Sequence, residues 1–187
     1  MASRSAPTAG RYSIGEYAAL PPDEFYTIEL SGGMLIHEPA PGGEHGRAQV
    51  RIARLLDEHA EATRAGAVLG GAGFILFSDP PTVRVPDVAV VGRARLEERP
   101  LDAGLWRGAP DLAVEINSPT NSASDSLRKV NEYLDAGVRL VWVVDPPTRT
   151  VTVYRSRDHI QLLGDDAELD GGPVLPDLRV SVRTIFS

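Results

Sequence analysis

The sequence contains no cysteine among its 187 residues, which excludes disulfide bridges and thiolate chemistry. It also has no run of the roughly 18 apolar residues that a membrane-spanning helix needs. The first eleven residues, MASRSAPTAGR, lack the apolar centre of a signal peptide. These absences favour a cytoplasmic protein without covalent cross-links.

Several catalytic signatures are missing as well. The chain has no GxSxG elbow, P-loop, GxGxxG or HExxH motif, and its 4 histidines show no zinc-ligand spacing. With 19 basic and 26 acidic residues, the net charge is -7, which is unfavourable for broad, non-specific binding to nucleic acid. A local basic groove, or a metal that neutralises acidic residues, is still compatible with this charge.

The patterning predicts an α/β architecture with a mixed sheet. Residues 1–12 are small and polar and are expected to form a disordered tail. No linker divides residues 13–187, so we expect a single domain there. A helix over 121–136, capped by Asn121 or Ser122, separates two apolar strands and predicts a parallel pair with a right-handed crossover. The other predicted elements are a capped helix over 13–20, a hairpin of 26–30 and 34–37, a helix over 45–64, strands 67–78, 82–91, 111–117, 139–145 and 150–155, a charged connection over 92–108, a bulge or sharp bend at GGAGF, and short strands in HIQLL and LRVSVRTIF.

Two apolar runs each carry an acidic residue where a buried strand normally has none. Glu115 lies inside Leu-Ala-Val-Glu-Ile, and Asp87 opens Asp-Val-Ala-Val-Val. A buried carboxylate must be paired, protonated or bound to a cation, because burying it bare is costly. Two such strands could present both carboxylates to one Mg²⁺, with the carbonyl of Ile116 as a further oxygen ligand. The structural alternatives are an ion pair of Glu115 with an arginine and a turn-capping role for Asp87.

A metal held in this way would lower the pKa of its bound water and offset the charge that develops during phosphodiester hydrolysis. Lys129 could orient the attacking water or stabilise that charge. However, Lys129 lies about 160° around the helix from the Leu127 and Leu134 stripe. The alternative is an exposed pair with Asp125, four residues earlier.

Two further residues are candidates for the same site. His45 begins a helix on its inward face, where it could ligate a metal, bond a carboxylate or cap the helix. Glu29 interrupts Tyr-Thr-Ile-Glu-Leu and repeats the anomaly of Glu115. It could reach the same site or pair with an arginine at the hairpin.

The ordered segments PDVAVV, PDLAVEINSP, DSLRKVNEY and AGVRLVWVVDPPTRTVTVYR resemble the Uma-type putative restriction endonuclease family of the PD-(D/E)XK nuclease superfamily. The resemblance extends to IELSGGMLIHEPAPGGEHGRAQ and PVLPDLRVSVRTIF, and thus over residues 13–187. It implies a restriction endonuclease-like core, in which helices flank a mixed β-sheet. It also implies Mg²⁺-dependent hydrolysis of DNA, with Mn²⁺ as an alternative ion.

The resemblance also implies roles for individual residues. Asp87 falls on the PD position and Glu115 on the second acidic position. The superfamily lysine normally lies two residues after that acid, where this chain has Asn117, and Lys129 of the following helix takes its place. Glu29 and His45 match family positions with supporting roles.

Three functions fit the sequence. The first is a metal-dependent DNA endonuclease, in which a homodimer would suit the two strands of a duplex. The second is a catalytically inactive nuclease-fold protein that acts as a binding or regulatory module, which the acidic net charge favours. The third is a hydrolase of RNA or of a small phosphoester, because a fold does not determine its substrate.

Overall fold

The structure of the chain is a computed structural model that describes residues 10–101, 104–118 and 122–187. Most of the expected N-terminal tail lies outside the described residues, and so does Asn121. In these ranges the helices are α1 (Ile14–Ala18), α2 (Gly43–Thr63), α3 (Arg93–Glu98), α4 (Ala123–Asp135) and α5 (Val182–Phe186). The strands are β1 (Tyr26–Ser31), β2 (Met34–Pro39), β3 (Gly66–Gly70), β4 (Phe74–Ser78), β5 (Pro81–Arg84), β6 (Val88–Gly92), β7 (Trp106–Arg107), β8 (Leu112–Ile116), β9 (Leu140–Asp145), β10 (Thr150–Tyr154), β11 (Ile160–Leu163), β12 (Glu168–Asp170) and β13 (Arg179–Ser181).

The longer strands form two sheets, and the chain passes between them five times. The larger sheet has the order β11-β10-β9-β8-β6-β3, and the smaller one has the order β2-β1-β5-β4-β7. The predicted strand 67–78 is divided at Gly71, whose φ of 63° is open to glycine at little cost. The predicted strand 82–91 is divided around Pro86, which has no N–H for a sheet hydrogen bond. The bend expected at GGAGF is therefore present, and both long strands change sheet midway.

The strand, helix and strand around α4 have the predicted arrangement. β8 and β9 are parallel, with Leu112 opposite Leu140 and Ile116 opposite Val144. β6 pairs with the other side of β8 in the antiparallel sense. The larger sheet is therefore mixed, as predicted, and helices lie on both of its faces.

The alternation of side chains along β8 separates two parts of the core. Leu112 and Val114 pack in a cluster with Ile52 of α2, whereas Ala113 packs with Val130 of α4. Because successive residues of a strand point to opposite faces, Glu115 projects on the same face as Ala113, toward α4. Among the described residues, no helix is long and apolar enough to cross a membrane.

Three details of the sequence interpretation are wrong. The connection over 92–108 contains α3 and β7 rather than irregular structure alone. The final apolar segment forms β13 and then the helix α5. In α4 the predicted apolar stripe is displaced, since Leu127 is 51% exposed and Lys129 is only 7% exposed. The charged residues that contact Lys129 in the folded protein decide which side of α4 is buried, more than the hydrophobic pattern of the helix does.

Candidate active site

Glu115 lines a cleft between the larger sheet, α4 and the hairpin of β1 and β2. Two side chains of α4 bind its carboxylate: Tyr133 donates its hydroxyl to Oε1 at 2.6 Å, and Lys129 Nζ lies 3.1 Å from Oε2. These two donors are four residues apart and therefore project from the same side of the helix. The geometry explains how an apolar strand accommodates a glutamate.

The surroundings of Glu115 disfavour its negative charge. Burial, together with the neighbouring carboxylates of Glu29 and Asp87, raises the pKa of Glu115 to about 7, against the opposing effect of Lys129. Negative charge is therefore concentrated at this point of the cleft, where a cation would be stabilised.

Asp87 reaches the same point because of the register between β6 and β8. Val88 lies opposite Val114 in this antiparallel pair, and continuing the register by one residue sets Asp87 opposite Glu115. The backbone N–H of Ile116 donates to Asp87 Oδ2 at 2.7 Å. The side chain of Gln49 donates to the Asp87 carbonyl at 2.9 Å. Two residues that are 28 positions apart in the chain thus converge through sheet pairing.

Lys129 is surrounded by three carboxylates. Its Nζ lies 3.2 Å from Glu29 Oε2, 2.9 Å from Glu38 Oε1 and 3.1 Å from Glu115 Oε2. Burial lowers the pKa of Lys129, but the three carboxylates outweigh it and raise the pKa above its usual value. The alternative of an exposed Asp125–Lys129 pair is wrong, because Asp125 pairs with Arg128 instead.

Glu29 reaches this site and also pairs with an arginine, so both interpretations of it hold. Arg84 of β5 is 0% exposed, and its Nη1 lies 2.6 Å from Glu29 Oε2. Its Nε lies 2.6 Å from Glu132 Oε2. Although burial raises the pKa of Glu29, the charges of Lys129 and Arg84 outweigh that effect and lower it. Glu29 is therefore a fully buried carboxylate that stays ionised.

His45 contacts the other carboxylate of the cleft. Its Nε2 lies 3.3 Å from Asp87 Oδ2, and it forms a hydrogen bond with the backbone of Ile116. Burial lowers the pKa of His45, but the hydrogen bond and charge of Asp87 raise it above the ordinary value. The helix is capped by Gly42 rather than by the His45 side chain.

Asn117, which occupies the usual position of the superfamily lysine, makes no direct bond to Glu115 within the described residues. Its amide donates to Asp145 Oδ1 at 3.3 Å, and its oxygen accepts a hydrogen bond from Ser126 at 3.1 Å. Asn117 therefore ties the end of β8 to β9 and α4, and the amine beside Glu115 comes from Lys129.

The sequence interpretation missed three residues that build the cleft: Arg84, Glu38 and Glu132. Arg84 had the same signal as Glu115, since it is a charged residue in the apolar stretch Val-Arg-Val. Glu38 and Glu132 had no comparable signal, because acidic residues on an edge strand or a helix surface are common.

The available ligands in the cleft are oxygen atoms, and this limits the kind of metal ion that could bind there. In the described part of the chain, no group of three or more His, Asp or Glu side chains has a metal-binding arrangement. A metal site would thus combine the carboxylates of Asp87 and Glu115 with the backbone carbonyl of Ile116 and water. Oxygen donors of this kind fit a hard divalent cation that retains several waters, such as Mg²⁺.

A solved structure has the same fold as this protein. The crystal structure of a putative nuclease belonging to DUF820 from Anabaena variabilis matches with a TM-score of 0.82 at 24% identity. The match covers 94% of this chain and 97% of that chain. The fold is therefore that of an α+β protein with a mixed sheet between helices, as expected.

The family follows from a match in sequence. Residues 14–183 match the model of the Uma2 family, described as putative restriction endonuclease. Because the match spans most of the chain, the protein belongs to this family, and the resemblance stated above is confirmed. A comparison with curated protein sequences found no match.

Proposed function

We propose that this protein is a Mg²⁺-dependent endonuclease that hydrolyses phosphodiester bonds in DNA. The observation that carries the proposal is the convergence of Asp87, Glu115 and buried Lys129 in one cleft. Membership of a restriction endonuclease family supports nucleic acid as the substrate class.

Asp87, Glu115 and the carbonyl of Ile116 would hold the metal ion, and Mn²⁺ could replace Mg²⁺. When bound, the ion would supply an activated water and would offset charge on the phosphate. The raised pKa of Glu115 supports this assignment, because a nearby cation would favour the ionised carboxylate. His45 would keep Asp87 in position through their contact at 3.3 Å.

Lys129 would orient the attacking water and stabilise the charge that develops on the phosphate oxygens. Its three carboxylate partners restrict the ammonium group to one place, and this preorganisation lowers the cost of orienting a reactant. Glu29 would act as a positioning residue, since it contacts both Lys129 and the buried guanidinium of Arg84.

A homodimer would match the two-fold symmetry of duplex DNA and allow two cleavage events per binding event. Sedimentation of the protein with and without a short duplex would measure its oligomeric state. A monomer in both conditions would leave single-strand nicking as the expected activity.

The test of this function is cleavage of supercoiled plasmid with Mg²⁺, Mn²⁺ or EDTA. We expect cleavage with either metal and none with EDTA. Asp87→Asn, Glu115→Gln and Lys129→Met should each reduce the rate by about 10²-fold or more, as is typical when a charged group is lost from a transition-state site. Glu44→Gln is the matched control, because it removes an exposed acid from the start of α2 outside the cleft.

Thermal unfolding in the same metals separates the proposal from an inactive binding module. A ligand that binds only the native state raises its stability, so Mg²⁺ should raise the Tm of the native protein but not of Asp87→Asn. An inactive native protein with no metal-dependent shift would favour the binding module. Parallel assays on an RNA duplex and a small phosphodiester would test the substrate class.

A further inference from the structure

Hydrolysis requires a group that removes a proton from the attacking water. Within the described residues, the carboxylates that line the cleft are Glu29, Glu38, Asp87, Glu115 and Asp125. Their contacts differ, and these differences decide which of them can accept a proton.

Three of these carboxylates have both oxygens engaged. Glu29 accepts from the Val85 N–H on Oε1 and from Arg84 on Oε2. Glu115 accepts from Tyr133 on one oxygen and from Lys129 on the other. Asp125 contacts Arg128 through Oδ1 and accepts from Ser122 through Oδ2. Each of the three therefore lacks an oxygen that is free of protein donors, although an engaged oxygen of Glu115 keeps a lone pair for a metal.

Asp87 and His45 are unsuitable for different reasons. One oxygen of Asp87 accepts the Ile116 N–H, and the other is the oxygen available for a metal. Nε2 of His45 lies beside Asp87. Its Nδ1 is buried and has no partner among the described residues, so no water can reach it without a movement of the protein.

Glu38 has the properties that the other groups lack. Its Oε1 lies 2.9 Å from Lys129 Nζ, and its side chain is 26% exposed. In the part of the chain that the structure describes, no hydrogen bond or ion pair engages Oε2. The pairing of Thr27 with Glu38 and of Glu29 with Ile36 sets Glu38 and Glu29 on the same face of the hairpin, beside Lys129.

We propose that Glu38 is the catalytic base, an inference that rests on the proposed nuclease function. Glu38 takes one proton from a water that Lys129 orients, and the water oxygen forms a bond to phosphorus. The bond from phosphorus to the leaving sugar oxygen breaks, and that oxygen takes a proton from solvent. Glu38 then releases its proton to solvent, so the net reaction consumes one water for each bond broken.

A purely structural role for Glu38 would be to balance the charge of Lys129, and substitutions separate the two roles. Glu38→Gln keeps an oxygen that can accept from Lys129 but cannot take a proton. Glu38→Ala leaves space in which formate could act as an external base. Glu38→Asp keeps a base at a greater distance. Glu44→Gln repeats the loss of one negative charge at an exposed position outside the cleft.

The experiment measures single-turnover cleavage of a short DNA duplex with Mg²⁺ from pH 5 to 9. Loss of a general base typically costs about 10²-fold to 10⁴-fold in rate, and we expect such a loss in Glu38→Gln and Glu38→Ala. Formate should restore part of the rate of Glu38→Ala only. DNA affinity in Ca²⁺ and Mg²⁺-dependent thermal stabilisation should match the native protein in all variants.

Native-like cleavage by Glu38→Gln would overturn the assignment of the base. Loss of rate without rescue by formate, together with weaker metal or DNA binding, would also overturn it and would leave a structural role. If Asp87→Asn is inactive while Glu38→Gln is active, only the base assignment fails. If the native protein cleaves no DNA with any metal, the nuclease proposal and the base assignment fail together.

Discussion

Glu115 titrates near neutral pH because it is buried and lies close to other carboxylates. Its pKa is about 7, compared with an ordinary value of 4.5. Between these two values the folded state holds a proton that the unfolded state has lost. The contribution of Glu115 to stability is thus greatest below pH 4.5 and is lost as the pH rises through 7.

We expect this loss to appear when Glu115→Gln is compared with the native protein, because glutamine does not titrate. As the pH rises through the full interval between the two pKa values, the native protein loses about 3 kcal/mol of unfolding free energy through the ionisation of Glu115. Urea denaturation at pH 5 and pH 8, without divalent metal, should therefore show the variant gaining stability relative to the native protein as pH rises. For the control Glu44→Gln, the difference in unfolding free energy from the native protein should be nearly the same at both pH values. The same result for Glu115→Gln would mean that the pKa of Glu115 in the folded protein lies near its ordinary value.

At the scale of elements, α4 connects the two sheets through charged side chains. Glu132 accepts hydrogen bonds from Ser31 of β1 at 2.6 Å and from Arg84 of β5 at 2.6 Å. Lys129, three residues earlier, contacts Glu29 of β1 and Glu115 of β8. The position of α4 therefore depends on ion pairs as well as on apolar packing.

Replacing Arg84 with methionine should destabilise the protein strongly. Glu29 would keep Lys129 as a cationic partner but would lose the buried guanidinium, and removal of one partner of a buried pair typically costs about 3–5 kcal/mol. The double variant Glu29→Gln/Arg84→Met should recover part of that loss, since the remaining buried group is neutral. A double-mutant cycle in urea measures the coupling energy between Glu29 and Arg84. If the effects of the two substitutions on unfolding free energy are additive, the predicted coupling is absent.

The pairing of β3 with β6 depends on a glycine at its end. A Cβ added at Gly66 would lie 2.2 Å from the Val91 carbonyl oxygen, whereas one at Gly70 would meet only the Asp87 carbonyl oxygen at 3.9 Å. Gly66→Ala should therefore lower the unfolding free energy by about 1–3 kcal/mol, the usual cost of overpacking. Gly70→Ala is the matched control in the same strand, and equal effects in urea denaturation would contradict the close approach.

At the scale of the whole molecule, the net charge of -7 opposes contact with a polyanion. The proposed metal would reduce this repulsion at the cleft, whose lining includes five acidic side chains. We thus expect weak DNA binding in EDTA and at least about 10-fold tighter binding in Ca²⁺, a gain of roughly 1.4 kcal/mol. Fluorescence anisotropy with a labelled duplex measures this gain, and Asp87→Asn should lose most of it. Equal affinity in EDTA and Ca²⁺ would contradict a metal-mediated contact.

The parts of the fold that could be predicted are those that depend on local patterns. The α4 crossover between β8 and β9 follows from a capped helix between two apolar strands. The division of the two long strands between sheets could be predicted only as a bend at GGAGF, because the pairings of β3 with β6, β5 with β1 and β6 with β8 join residues that are distant in sequence. Asp87 and Glu115 stood out as charges in apolar runs. Lys129 was a candidate by its chemistry, with an exposed helix pair as the alternative, and the family resemblance then favoured it.

By itself, the sequence determined the mixed α/β class, the parallel strand pair and the two carboxylates that a buried strand would not otherwise contain. Only the tertiary structure decided that Lys129 is buried among three carboxylates, that Arg84 holds Glu29, and that Glu38 retains a free oxygen beside the cleft. The physical reason is that hydrophobic periodicity is a property of neighbouring residues, whereas the stability of a buried charge depends on partners brought close by the fold.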